Sequence, residues 1–143
     1  MPNISAVRSY KQLDNTSRVQ EKPPEELIFL MLEKACSCIR RAILLIEAGP
    51  SAEIDQRLQE VEEYGLCTSK TLQILTSLME IINYEDSGEL GTSLRETYEI
   101  IRSAAWSAFK NRSLDDLRKV LEAVSELKDA WEQIKSRNTP DSP

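Results

Sequence analysis

Three cysteines and adjacent pairs of carboxylates, such as Glu62-Glu63 and Asp115-Asp116, are the side chains here whose chemistry would matter most. Cys36 and Cys38 lie inside a helical pattern, where residues two apart point ~200° from each other, so they cannot readily share a metal ion. With Cys67 they read as buried or half-buried free thiols, which suit a reducing cytosol. The pairs Glu62-Glu63 and Asp115-Asp116 fall on polar helix faces and read as solvated surface. Histidine is absent altogether. That removes the His general base, Ser-His and Cys-His nucleophiles, the imidazole metal ligand and the phosphohistidine relay. Di-iron, haem and phosphotransfer bundles all draw on histidine, and four scattered glycines cannot form a phosphate-cradling loop. Neither catalysis nor a metal or other cofactor is expected.

Charge narrows the partners. With 24 acidic and 18 basic residues the net charge is −6, and Arg40-Arg41 is too small a patch for nucleic acid. The start carries no signal-peptide pattern, and the longest apolar stretch, Leu27 to Leu32, is far short of a membrane span. A cytosolic protein without membrane insertion is the expectation.

The elements follow from where proline and glycine stand. At 143 residues the chain is long enough for one domain with a real core, and residues 51–139 contain no proline. Alternating β-branched runs and hairpin turns are missing, so the fold class is all-α. Residues 1–22 read as a flexible N-terminal arm with room for a short helix over Ile4 to Leu13. Helix one opens near Pro24 beside Glu25 and Glu26 and stops at Ala48-Gly49-Pro50. Its inner face is Ile28, Met31, Leu32, Ala35, Ile39, Ala42, Ile43 and Ile46.

Helix two is expected from about Ser51 to Asn83, with a four-three seam of Ile54, Leu58, Val61, Gly65, Thr68, Leu72, Leu75, Met79 and Ile82 turned inward. Glu85-Asp86-Ser87-Gly88 is a turn. Helix three then presents Leu90, Leu94, Tyr98, Ile101, Ala105 and Ala108, and Asn111-Arg112-Ser113 is a short loop. Ser113 and Asp116 have capping-box spacing. Helix four turns Leu117, Val120, Leu121, Val124, Leu127, Trp131 and Ile134 inward, and the chain frays in a tail that is disordered over 138–143. The segment 23–137 is therefore expected to pack as an up-and-down antiparallel four-helix bundle.

Apolar surface is left over. Helix two carries a second stripe, Cys67, Thr71, Ile74, Leu78 and Ile81, centred ~140° from the first. Phe29, Leu30 and Leu44 project away from the inner face of helix one, and Trp106 lies ~140° from Ile101, while Phe109 reaches toward the core edge. Two readings stand. Either these side chains bind a partner that offers amphipathic helices, or wide helix faces simply touch two neighbours or lie under the arm. On the first reading, Asp at Ile74 and Ile81 abolishes binding and spares helicity. Collapse of the fold would mark both as core.

The ordered residues also resemble a known family, the flagellar export chaperone FliS, over about Tyr10 to Trp131. Ser9-Tyr10-Lys11-Gln12 is similar to the family's Ala-Tyr-Gln-Gln element, and Pro24-Glu25-Glu26-Leu27-Ile28 to its helix-one opening. Lys70, Ile74, Leu75 and Leu78 fall on its Lys-Ala-x-x-Ile-Ile-x-x-Leu pattern. Gly88-Glu89-Leu90 with Leu94 and Tyr98, then Val120, Leu121, Leu127 and Ala130-Trp131, match its later stretches. Met31-Leu32-Glu33-Lys34-Ala35 departs from the usual Leu-Tyr-Asp-Gly-Ala, as Arg112-Ser113 does from Asn-Asp, which marks a divergent member.

The resemblance implies a cytosolic, non-enzymatic chaperone that binds the C-terminal, otherwise disordered helical region of flagellin. Binding would prevent premature polymerisation and keep flagellin competent for flagellar type III export; the export gate is a further candidate partner. It implies that Tyr10 covers part of the site before the client displaces it. The expected partner-binding residues are Tyr10, Phe29, Leu30, Ile74, Leu78, Ile81 and Trp106. The alternative is a helical-bundle adaptor or regulator that binds another export component or self-associates.

Overall fold

The computed structural model describes residues 24–85 and 89–138. The arm over 1–22, with Tyr10, lies outside the described residues, as do the centre of the expected 85–88 turn and the chain beyond 138. The same holds for the side chains of Ile82 and Leu90. Four helices are present: α1 (Pro24–Ala48), α2 (Ile54–Glu85), α3 (Glu89–Asn111) and α4 (Leu114–Asn138). They form an up-and-down antiparallel bundle in which α1 packs on α2 and α4, and α3 packs on the same two.

α1 forms where the proline-first, acidic first turn places it and ends at a left-handed glycine. Gly49 has φ +76° and donates its N–H to the Ile46 carbonyl at 3.1 Å. Seven of its eight expected inner residues are buried, and Ile46 is half-buried against the core. α2 begins later than expected because Ser51–Glu53 folds back on the first turns. The Ser51 N–H donates to Glu60 at 3.1 Å, Arg57 donates to the carbonyls of Ser51 and Ala52, and the Glu53 carboxylate caps the Gln56 N–H. At its other end α2 runs on through Glu85.

Arg112 closes α3 in the left-handed region, at φ 51°. Its N–H donates to the Phe109 carbonyl, and Ser113 N–H reaches back to Ala108 at 3.1 Å. The Ser113 hydroxyl then accepts the Asp116 N–H at 3.2 Å and starts α4. That left-handed backbone costs a residue with a Cβ about 1 kcal/mol, whereas glycine is free of the cost. Arg112 also stacks its guanidinium 4.3 Å over the Tyr64 ring. In urea denaturation Arg112→Gly should therefore be more stable than Arg112→Ala by about 1 kcal/mol, because both lose the stacking and only alanine keeps the strain.

Each helix interface carries at least one polar tie. Arg41 and Glu63 pair across α1–α2 through two hydrogen bonds, at 2.5 and 3.1 Å, and Tyr64 donates to the Phe109 carbonyl at 2.6 Å across α2–α3. Trp131 Nε1 donates to the Tyr98 hydroxyl at 2.8 Å across α3–α4, and Arg118 meets Glu47 at 2.6 Å across α4–α1. The ion pairs are exposed and set register more than energy. The energy comes from the apolar interior, where Leu32, Ile39, Leu75, Leu78, Tyr98, Leu117 and Val124 are shut off from solvent.

Burial pushes the Tyr98 phenol from an ordinary 10 up to about 12, against the lowering effect of the Trp131 hydrogen bond. The folded state therefore holds the proton longer than the unfolded chain. The sign is loss of stability as pH rises: the contribution is whole below pH 10 and gone by about pH 12, some ~2–3 kcal/mol in all. The denaturation midpoint should fall across this window, and Tyr98→Phe should flatten the fall.

Candidate functional site

The structure corrects the assignment of the two stripes on α2. Ile74 (1% exposed), Leu78 (0%) and Ile81 (3%) are core residues, together with Cys67 and Thr71. They are not surface anchors, because this stripe is the one that faces the other three helices. The stripe expected inside is instead exposed over its first turns, at Ile54 (56%), Leu58 (60%) and Val61 (63%). It dips inward only farther along, where Leu75 is buried and Leu72 and Met79 pack half-buried on the core.

The reason is helix length. α2 has 32 residues and α3 has 23. Tyr64 meets Phe109, ring centroids 5.7 Å apart and 64° between planes, and Phe109 is already in the last turn of α3. Roughly ten residues of α2, ~15 Å, therefore extend past the end of the helix that would otherwise cover them. This overhang was calculable from the expected helix lengths, and it is the signal that finds Ile54, Leu58 and Val61.

Beside the overhang, in the space beyond α3, lies a cleft of about 210 Å³ lined by Leu45, Pro50, Arg57, Glu60, Val61 and Arg112. Val61 belongs both to this cleft and to the exposed row. Farther along the row stands Gly65, where an added Cβ would meet nothing within 4 Å, so the surface there is bare backbone. Trp106, 53% exposed, is level with the next turns of α2, because its neighbours Phe109 and Arg102 touch Tyr64 and Thr76. On the helical wheel it lies within about 60° of both, at the outer edge of the α2–α3 seam. Ile54, Leu58, Val61 and Trp106 thus bound one elongated apolar surface. One edge is basic, with Arg57 and Arg112, and on the wheel the other edge bears Asp55 and Glu62.

The other expected residues stand apart. Leu30, 37% exposed, and Leu44, 54%, face outward from α1, on the side away from its inner face, while Phe29 is half-buried. Phe109 is a full core member. A second groove, about 390 Å³, runs between α3 and α4 over Ile101 and Val120, with Ile100 on its rim at 69% exposure. Among the described residues no three His, Cys, Asp or Glu side chains converge where a metal ion could sit, and no helix is long and apolar enough to cross a membrane.

A family model described as flagellar protein FliS matches residues 6–138. The chain belongs to the FliS family. Among relatives, the flagellar secretion chaperone FliS of Salmonella typhimurium is 26% identical over 135 residues, covering 94% of this chain and 93% of that protein. The flagellar secretion chaperone FliS of Vibrio cholerae is 22% identical, covering 90% and 88%, and FliSB of Pseudomonas aeruginosa 23%, covering 92% and 96%. Matches this distant and this complete fit a divergent FliS member. The family is one of chaperones, and this chain presents large exposed apolar side chains.

Proposed function

We propose that this chain is a cytosolic flagellar export chaperone that binds the C-terminal helical region of flagellin. It thereby prevents premature polymerisation and keeps flagellin competent for type III export. The observation that carries this reading is the uncovered row Ile54, Leu58 and Val61, aligned with Trp106, on a member of the FliS family. Four-three spacing along one helix suits an amphipathic helical segment laid alongside it, and the opposed charges of the two edges give that segment a preferred direction. Each Leu- or Ile-sized anchor contributes ~1.5–3 kcal/mol on burial, enough that several offset the cost of ordering a disordered client.

Calorimetric titration of the full chain with a flagellin C-terminal segment from the same organism, followed in parallel by circular dichroism, tests the reading. One-to-one binding with a gain in helicity supports it. A folded protein that leaves an intact segment unbound overturns it.

A further inference from the structure

The α1–α2 interface carries chemistry that the client surface does not use. The two hydrogen bonds between Arg41 and Glu63 set the register of these antiparallel helices. One turn back on α1 and one turn on along α2 bring Cys38 level with Cys67, and a further turn brings Lys34 level with Lys70. Both cysteines belong to the interior: Cys67 is 7% exposed and Cys38 is half-buried against the core. Helix axes 8–10 Å apart leave facing Cα atoms on the order of 6 Å from one another, within the range that a disulfide spans. Cys36 points elsewhere, with its sulfur 3.6 Å from the Ser125 hydroxyl of α4.

We propose that Cys38 and Cys67 form a dithiol site that low-molecular-weight disulfides of the glutathione class oxidise to a bridge between α1 and α2. Cys38, the more accessible thiol, attacks one sulfur of the oxidant as thiolate and releases one reduced thiol. Cys67 then attacks the mixed disulfide on Cys38 and expels the second. Two protein thiols lose two protons and two electrons, and one oxidant molecule becomes two thiols.

The electrostatics agree with the pairing. Burial raises both thiols, Cys67 to about 11 with Cys38 adding to the rise, while Lys34 and Lys70 pull Cys38 back down. Bridging is therefore slow near neutrality and accelerates with pH. The loop it closes, about 30 residues, contains Ile54, Leu58 and Val61, so oxidation would tether the base of the overhang that bears the apolar row.

The full chain, incubated with oxidised glutathione in native buffer at pH 8.5, tests this by thiol titration, intact mass and peptide mapping. The expected product is a monomer lighter by two hydrogens, with a Cys38–Cys67 cross-linked peptide, Cys36 still free and a melting temperature raised by roughly 10 °C. In Cys67→Ser the reaction should stop at a glutathione adduct on Cys38. Three free thiols after prolonged oxidation, a linkage through Cys36, or in the unsubstituted chain an adduct that never closes would each overturn the proposal. The readout involves no client, so it stands or falls separately from the chaperone reading.

Discussion

Ile74→Asp is expected to unfold the bundle. Ile74 is 1% exposed and packs in the common core with Leu75 and Leu78, so its replacement removes an apolar side chain and puts a carboxylate among apolar neighbours. The lost burial and the desolvation of an unpaired charge together cost at least ~4–5 kcal/mol. Domains of this size have only ~5–15 kcal/mol to lose. Far-UV circular dichroism should show most of the helicity gone at ambient temperature, or a urea midpoint near zero. Ile81→Asp, at 3% exposure, should behave alike. A fully helical variant with an unchanged midpoint would return this stripe to the surface and reopen its candidacy for partner binding.

The reversal on α2 shows what periodicity can and cannot decide. α1 was legible because its main apolar stripe is continuous and bounded by Glu33, Lys34, Arg40 and Arg41, with a proline and a glycine marking its ends. α3 and α4 were legible for the same reason, down to the capping serine at 113. α2 has two stripes at the same four-three spacing, and spacing alone cannot say which one meets the core. Tertiary context decides it. Ile54, Leu58 and Val61 lie where α3 has already ended, so whatever their hydrophobicity they meet no helix among the described residues. Thr71 and Ser77 are buried because they lie where the helices run together, although their polarity argues for the outside. Thr71 carries the cost, as its hydroxyl finds no hydrogen-bond partner. Trp106 was legible as an outward residue from its angle to Ile101. Its neighbourhood with the α2 row was not, because that depends on which helices pair and in what register. The Cys38–Cys67 pairing was hidden for the same reason: the two residues belong to different helices, and only the Arg41–Glu63 contact aligns them.

The second large effect belongs to the exposed surface, and its direction is opposite to that of Ile74. Leu58→Asp and Trp106→Ala should each leave the fold intact, since the parent side chains are 60% and 53% exposed and contribute little to the core. Each should nevertheless weaken binding of the proposed flagellin segment. Truncating a central aromatic anchor costs ~2 kcal/mol, or about 30-fold in Kd, and a charge within the apolar row costs at least as much. Leu44→Asp is the matched comparison, because Leu44 is equally exposed but stands on the outer face of α1 with Leu30. If the client lies along α2 and α3, that substitution should change affinity by no more than about twofold. If instead Leu44→Asp abolishes binding and Leu58→Asp does not, the client surface is the outer face of α1. Helicity measured on all three variants separates either outcome from unfolding, so the comparison distinguishes two faces of one stable bundle. Exposure makes both faces candidates. Of these two faces, the α2 row is the one that combines helical spacing, an adjoining cleft and charged edges of opposite sign, and for that reason the larger loss is expected there.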